Sequence, residues 1–290
     1  MKIGECIMMI NLLLFLALLP VALLCGYIYI KDTNKEPFKL LLKIFSLGVV
    51  MALPIAILEM FFEFFVTTDN VENFLLLFFI VFVSVALVEE GGKWIVTKFI
   101  GYDDKEFDEI YDIIVYSVFA SLGFACIENV LYVLKNGVTV ALYRAFLSVP
   151  GHMCFGVIMG YFLSKAKINF VNKKYGAYIR NLLFSLFVPS VVHALYDTFI
   201  FYYSNTGYFP SLILFFVMNI NMVVVCFIII HIVSKMQSRI SNSLDNGIIV
   251  NESGNLSYVN NSLEDVHYCP ICGKSANNSL YCGRCGFKLK

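Results

Sequence analysis

Four short groups of residues in this chain have types and spacings that could do chemistry. Glu89, Glu90 and Lys93 stand in Glu-Glu-Gly-Gly-Lys. Glu128 and Asn129 close Phe-Ala-Cys-Ile-Glu-Asn, His152 opens His-Met-Cys-Phe-Gly, and His193 and Asp197 frame His-Ala-Leu-Tyr-Asp. On a helix Glu89 and Lys93 share a face and can pair, while Glu90 lies about 100° round and should point elsewhere. Asp197, four residues after His193, can accept from one ring nitrogen and fix the tautomer, as in the shell around a metal-bound or catalytic imidazole.

Two histidines with glutamates are the ligand types of a catalytic zinc, and Glu128, His152 and His193 are the first candidates to hold one. Zinc would bring the pKa of a bound water toward neutrality and polarise a carbonyl. A carboxylate would serve as general base. The same residues could also work without metal, a glutamate activating water while histidine and asparagine stabilise the oxyanion. Both routes end in hydrolysis of a carbonyl bond, and spacing alone does not choose between them.

These residues are embedded in oil. Of 290 residues, 59% are hydrophobic and 14% charged, where a soluble domain carries about 25% charged residues. Mean hydropathy is +0.78. This excludes an ordinary soluble enzyme and a disordered chain, and indicates an all-α polytopic membrane protein. Lys plus Arg and Asp plus Glu number 21 each, so no basic surface is set aside for nucleic acid. Seven apolar runs are long enough to span: Ile7–Ile30, Leu40–Leu58, Phe74–Thr97, Ile113–Leu134, Phe146–Leu163, Ile179–Tyr202 and Phe209–Val233. The first is too long for a signal peptide and is followed by a basic stop at Lys31 to Lys39, so it reads as a retained helix.

Orientation follows from the basic residues between the runs. Lys31, Lys35, Lys39, Lys43, Lys98, Lys105, Lys165, Lys167, Lys173, Lys174, Arg180, Lys235 and Arg239 fall on one side. Lys2, Lys135 and Arg144 fall on the other. The richer side is cytoplasmic, which puts the N-terminus outside and the C-terminus inside a bacterial cell membrane. Ionisable residues inside a bilayer cost several kcal/mol and are functional candidates by default. By these boundaries Glu128, His152 and His193 share a layer in the outer half. Glu89 and Glu90 lie nearer the midplane, a modest helix shift away.

In order and spacing, Glu-Glu-x-x-Lys at 89–93, Phe-x-x-x-Glu-Asn at 124–129, His-x-x-x-Gly at 152–156 and His-x-x-x-Asp at 193–197 resemble the PrsW family of bacterial intramembrane proteases. The likeness covers about residues 40–235. That family is similar in turn to the CAAX prenyl endopeptidase and bacteriocin-processing superfamily. The resemblance implies an intramembrane endopeptidase, usually labelled a metalloprotease, that cleaves membrane-associated proteins such as an anti-sigma factor. It implies Glu89, Glu90, Glu128, His152 and His193 as the catalytic set, with Lys93, Asn129 and Asp197 in support. Two other classes of protein would bury similar residues. One is an ion-coupled transporter, the other a non-catalytic membrane sensor or scaffold.

The chain divides into a helical membrane domain at 1–240, a Ser- and Asn-rich flexible linker at 241–264, and a small module at 265–290. Of nine cysteines, Cys6, Cys25, Cys126, Cys154 and Cys226 lie in or beside apolar runs with no metal spacing and read as buried hydrophobes. The other four, Cys269, Cys272, Cys282 and Cys285, form two Cys-x-x-Cys-Gly turns. Such turns predict a zinc ribbon with a structural zinc and no coordination site left for water. Thiolate ligands call for a reducing compartment, in agreement with an inside C-terminus. With Lys274, Arg284, Lys288 and Lys290 its only basic residues, the ribbon fits a protein partner better than nucleic acid.

Overall fold

The computed structural model describes residues 3–102, 104, 109–171, 173–245, 248–250 and 256–258. These form seven long helices: α1 (Ile3–Lys31), α2 (Phe38–Phe65), α3 (Phe74–Gly101), α4 (Ile110–Asn136), α5 (Val138–Phe170), α6 (Tyr175–Thr206) and α7 (Phe209–Asp245). Each contains a stretch long and apolar enough to cross a bilayer, and in lipid the helix is the element that satisfies its own backbone. The outward faces are apolar, with Phe64 84% exposed, Phe146 75% and Ile30 74%. So much contiguous exposed hydrocarbon suits a lipid surround.

Helix α4 forms the centre. Its most apolar stretch is 83% buried, against 17% for that of α1, because α1, α2, α3, α5 and α7 all pack against it. Gly137 adopts a left-handed φ of 81° and turns the chain directly from α4 into α5, a conformation that costs glycine little. Side chains tie the helices together by bonding backbone carbonyls of their neighbours. Ser117 Oγ donates to Gly156 O at 2.8 Å, Ser121 Oγ to His152 O at 2.6 Å, and Asn129 Nδ2 to Ala17 O at 2.7 Å. Helices can approach this closely only where side chains are small. A Cβ on Gly160 would stand 2.3 Å from Ser117 Oγ and 2.6 Å from Ile114 Cα.

Two helices contain wider turns just before their functional residues. The backbone of α3 opens at Phe82–Ala86, ahead of Glu89, and that of α5 at Arg144–Ser148, ahead of His152. An inserted residue of this kind rotates everything after it and often marks a functional site. Pro54 and Pro189 lie inside α2 and α6, which run on through them.

Several boundaries differ from the sequence expectation. Helix α2 continues past Leu58 to Phe65 and so carries Glu59 and Glu63 within it. The fifth span starts at Val138, not Phe146, which draws Arg144 into the helix and leaves His152 near its middle. Beyond the bundle, α7 reaches Asp245, and Ile248–Val250 pairs antiparallel with Leu256–Tyr258. The expected zinc-ribbon residues, 265–290, lie outside the described residues.

Candidate active site

The four sequence groups meet in one buried cluster. From α3, Lys93 Nζ donates to Glu89 Oε2 at 3.0 Å and to Glu90 Oε1 at 2.7 Å. The long lysine chain reaches back both three and four residues, so Glu90 does not point away from Lys93 as helix geometry alone implied. The same ammonium lies 3.0 Å from His152 Nδ1 on α5 and 4.5 Å from the centre of the Phe124 ring on α4.

An ammonium can only donate, so His152 Nδ1 accepts and its Nε2 carries the proton. That nitrogen faces Glu128 Oε2 at 2.9 Å. His193, on α6, faces Glu90 Oε1 with Nδ1 at 3.0 Å and Asp197 Oδ2 with Nε2 at 3.2 Å. Its ring stacks on Phe155 at 4.6 Å and lies 5.9 Å from the ring of His152. Glu89, Glu90, Lys93, His152 and His193 are all buried.

The expected helix shift is unnecessary. Glu90 already touches His193, and the cluster sits near mid-span because α5 and α6 extend beyond their apolar runs. Of the two glycines in the Glu-Glu-Gly-Gly-Lys segment, only Gly92 marks a close approach, since a Cβ there would meet Ile55 Cδ1 at 2.4 Å. A Cβ on Gly91 would have nothing within 4 Å.

A cavity of about 530 Å³ adjoins the cluster and is lined by Glu89, Glu128, His152, His193 and Asp197 among others. Glu90 and Lys93 are not in its lining and sit behind it. The cavity runs toward the end of the bundle where α2 turns into α3, since Val66 and Thr68 also line it. Its remaining wall is largely apolar, with Ile55, Phe124, Leu147 and Phe155.

Two residues outside the expected catalytic set belong to this wall. Arg144 Nη2 lies 3.1 Å from Glu128 Oε2, its Nε donates to Asn129 Oδ1 at 2.9 Å, and its guanidinium stacks 4.5 Å above the Tyr132 ring. Asn129 is therefore committed to Arg144 and to Ala17 O, and does not face the cavity. Glu59 lines the cavity with one buried carboxylate oxygen that has no hydrogen-bond partner. The signal for both was their distance from any turn-forming residue, Arg144 standing seven residues beyond Gly137.

Among the described residues, donor atoms of Glu89, Glu90 and His152, one from each, lie within 4.8 Å of one another. Glu90 Oε2 is buried with no hydrogen-bond partner. Two carboxylates and an imidazole with a spare buried oxygen suit a divalent metal in type and number. The Lys93 ammonium faces the same three residues. A second group of donor residues, Asp32, Glu109 and Asp112, lies at the opposite end of α4. There Asn34 Nδ2 donates to Glu109 Oε1 at 2.6 Å and Tyr116 donates to Glu36.

The PrsW family intramembrane metalloprotease family matches residues 36–231. The Protease PrsW of Oceanobacillus iheyensis is 40% identical over 178 residues, covering 61% of this chain and 78% of that protein. Protease PrsW of Bacillus subtilis is 40% identical over 187 residues, covering 64% and 81%. Protease PrsW of Clostridioides difficile is 34% identical over 190 residues, covering 64% and 77%. No solved structure matches the chain. The matched region contains all four residue groups and the helices that bring them together, and the chain belongs to the PrsW family of intramembrane metalloproteases.

Proposed function

We propose that this protein is an endopeptidase that hydrolyses a peptide bond of a membrane-associated protein at the Glu89–Glu90–Glu128–His152–His193 cluster. One observation carries the reading: carboxylates and imidazoles from four helices are linked at 2.7–3.2 Å beside a cavity inside the bundle. Burying so many ionisable groups is costly in a bilayer, and hydrolysis is a use that needs them together.

Glu128, whose side chain is 22% exposed while that of Glu89 is 8%, takes the proton from a water in the cavity. Its oxygen is held by His152 and Arg144, which keeps the carboxylate aimed. Glu89 holds the water from the other side. Arg144 supplies a donor for the carbonyl oxygen as negative charge develops there, the role that Asn129, turned toward α1, does not fill. Asp197 and Glu90 fix both nitrogens of the His193 ring, and Lys93 compensates the charge behind the wall. A divalent metal would be held by Glu89, Glu90 and His152, where it would supply Lewis acidity and a water ionised near neutral pH.

The apolar wall of the cavity takes an unwound stretch of a substrate span. The cavity opens to the outer side of the cell membrane and the C-terminus lies inside, an orientation supported by the distribution of Lys and Arg. The substrate is an anti-sigma-factor-like membrane-associated protein, a reading supported by the motif resemblance alone. The four tail cysteines bind a structural zinc and present a docking module to a cytoplasmic protein partner.

The test uses the purified full chain in liposomes with a panel of single-span membrane peptides, read by mass spectrometry. Cleavage by the parent and none by Glu128→Gln and His193→Ala, both inserted normally, is the expected result. Normal cleavage by both variants would overturn the site.

A further inference from the structure

Lys93 stands among the residues that would hold a metal. Its side chain is 1% exposed, and its Nζ lies 3.0 Å from Glu89 Oε2, 2.7 Å from Glu90 Oε1 and 3.0 Å from His152 Nδ1. Those are the three residues whose donor atoms converge within 4.8 Å. Zinc takes carboxylate oxygens and imidazole nitrogens at about 2.0–2.2 Å, and the carboxylates have further lone pairs to offer, but the lone pair of His152 Nδ1 points at the ammonium. His152 Nδ1 has one lone pair and cannot serve both. Two cations side by side in a dry interior also repel strongly.

We propose that Lys93 is an internal place-holder for the metal. Its ammonium gathers and neutralises Glu89, Glu90 and His152 in the metal-free chain, and zinc enters only as the ammonium leaves. Lys93 and zinc thus exclude each other, and the protein can insert, fold and wait in the membrane without metal. The inference rests on the proposed reading of Glu89, Glu90 and His152 as metal donors.

Removing the lysine charge should have two effects. It should strip the metal-free protein of compensation for two buried carboxylates, making it depend on zinc for stability. It should also relieve zinc of its competitor. The experiment uses the full chain with Cys269, Cys272, Cys282 and Cys285 all changed to Ser, so that tail thiolates take no zinc. Zinc affinity is measured by competition with a chromophoric chelator, and thermal unfolding is followed with zinc and with EDTA.

Lys93→Met should bind one zinc per chain at least tenfold more tightly than its Lys93 counterpart. Its unfolding temperature should rise with zinc by more than the counterpart's does. Zinc binding by Lys93→Met that is equal or weaker overturns the exclusion while leaving the donors in place. No zinc in either protein overturns both the exclusion and the donor reading.

A second measurement needs no change at Lys93. Acetylation of Lys93 by acetic anhydride, read by peptide mass spectrometry, should be at least threefold faster with zinc than with EDTA. An unchanged or slower rate overturns the proposal even where Lys93→Met does not fold.

Discussion

Gly156→Ala puts the link between packing and chemistry to a quantitative test. Gly156 lies one turn after His152, where α5 backs onto α4. A Cβ there would stand 2.9 Å from both Ser117 O and Val118 Cα, and 3.1 Å from Ser121 Cβ. Two of these three atoms are backbone, which cannot swing aside. Restoring an ordinary contact of 3.4 Å from 2.9 Å moves the two helices apart by about 0.5 Å. The displacement falls on two short bonds, Ser117 Oγ to Gly156 O at 2.8 Å and Ser121 Oγ to His152 O at 2.6 Å. Overpacking of this kind costs about 1–3 kcal/mol, and weakened interhelical bonds in a membrane add about 0.6 kcal/mol each. The better helix propensity of alanine returns at most about 1 kcal/mol. His152 moves with α5 while Glu128 stays on α4, and a misplacement of about 1 Å can cost about 100-fold in rate. Half that shift should lower kcat/KM by about tenfold. Gly151→Ala is the control, since its Cβ would meet Tyr196, Met222 and Phe155 at 3.7–3.9 Å, which is ordinary contact. Unfolding in mild detergent and peptide cleavage in liposomes are measured on both variants. If Gly156→Ala matches Gly151→Ala in stability and rate, backbone contact between α4 and α5 does not set the position of His152.

Arg144→Ala should lower cleavage by about 10- to 100-fold, since it frees Glu128 and removes a donor from the cavity wall. Arg144→Lys should not restore the rate, because an ammonium cannot donate to Asn129 Oδ1, stack on Tyr132 and lie beside Glu128 at once as the planar guanidinium does. Asn129→Ala leaves Ala17 O and Arg144 Nε without their partner and should destabilise the fold by about 1–3 kcal/mol, read by unfolding in detergent. Cys269→Ser with Cys272→Ser should lower bound zinc by one per chain, measured by metal analysis, with no change in unfolding of the helical domain.

The fold and most of the site were legible because both rest on strong physical costs. Twenty apolar residues in a row have few uses besides crossing a bilayer, and charges within such runs stand out. His193 and Asp197 could be paired from their spacing, and Glu89 with Lys93 likewise. What spacing could not show was the tertiary reach of each group. Glu90 pairs with His193 across 103 positions, and His152 with Lys93 across 59. Arg144 and Glu59 fall outside the expected apolar runs for a related reason. They bound the hydrophobic stretches of α5 and α2, whereas the helices continue through them because both residues face the cavity and not lipid. The same boundary puts His152 in the outer half of the expected span, whereas the helix begins at Val138 and not at Phe146 and holds His152 near its middle.

Hydrolysis of peptide bonds by one cluster inside the bundle is the proposed function. Its most direct test compares new N-termini of membrane proteins in cells expressing the parent chain with those in cells expressing Glu128→Gln at equal levels. The parent should generate N-termini within or beside the span of at least one substrate, and these should be absent with Glu128→Gln. The same new N-termini in both cells would contradict the account.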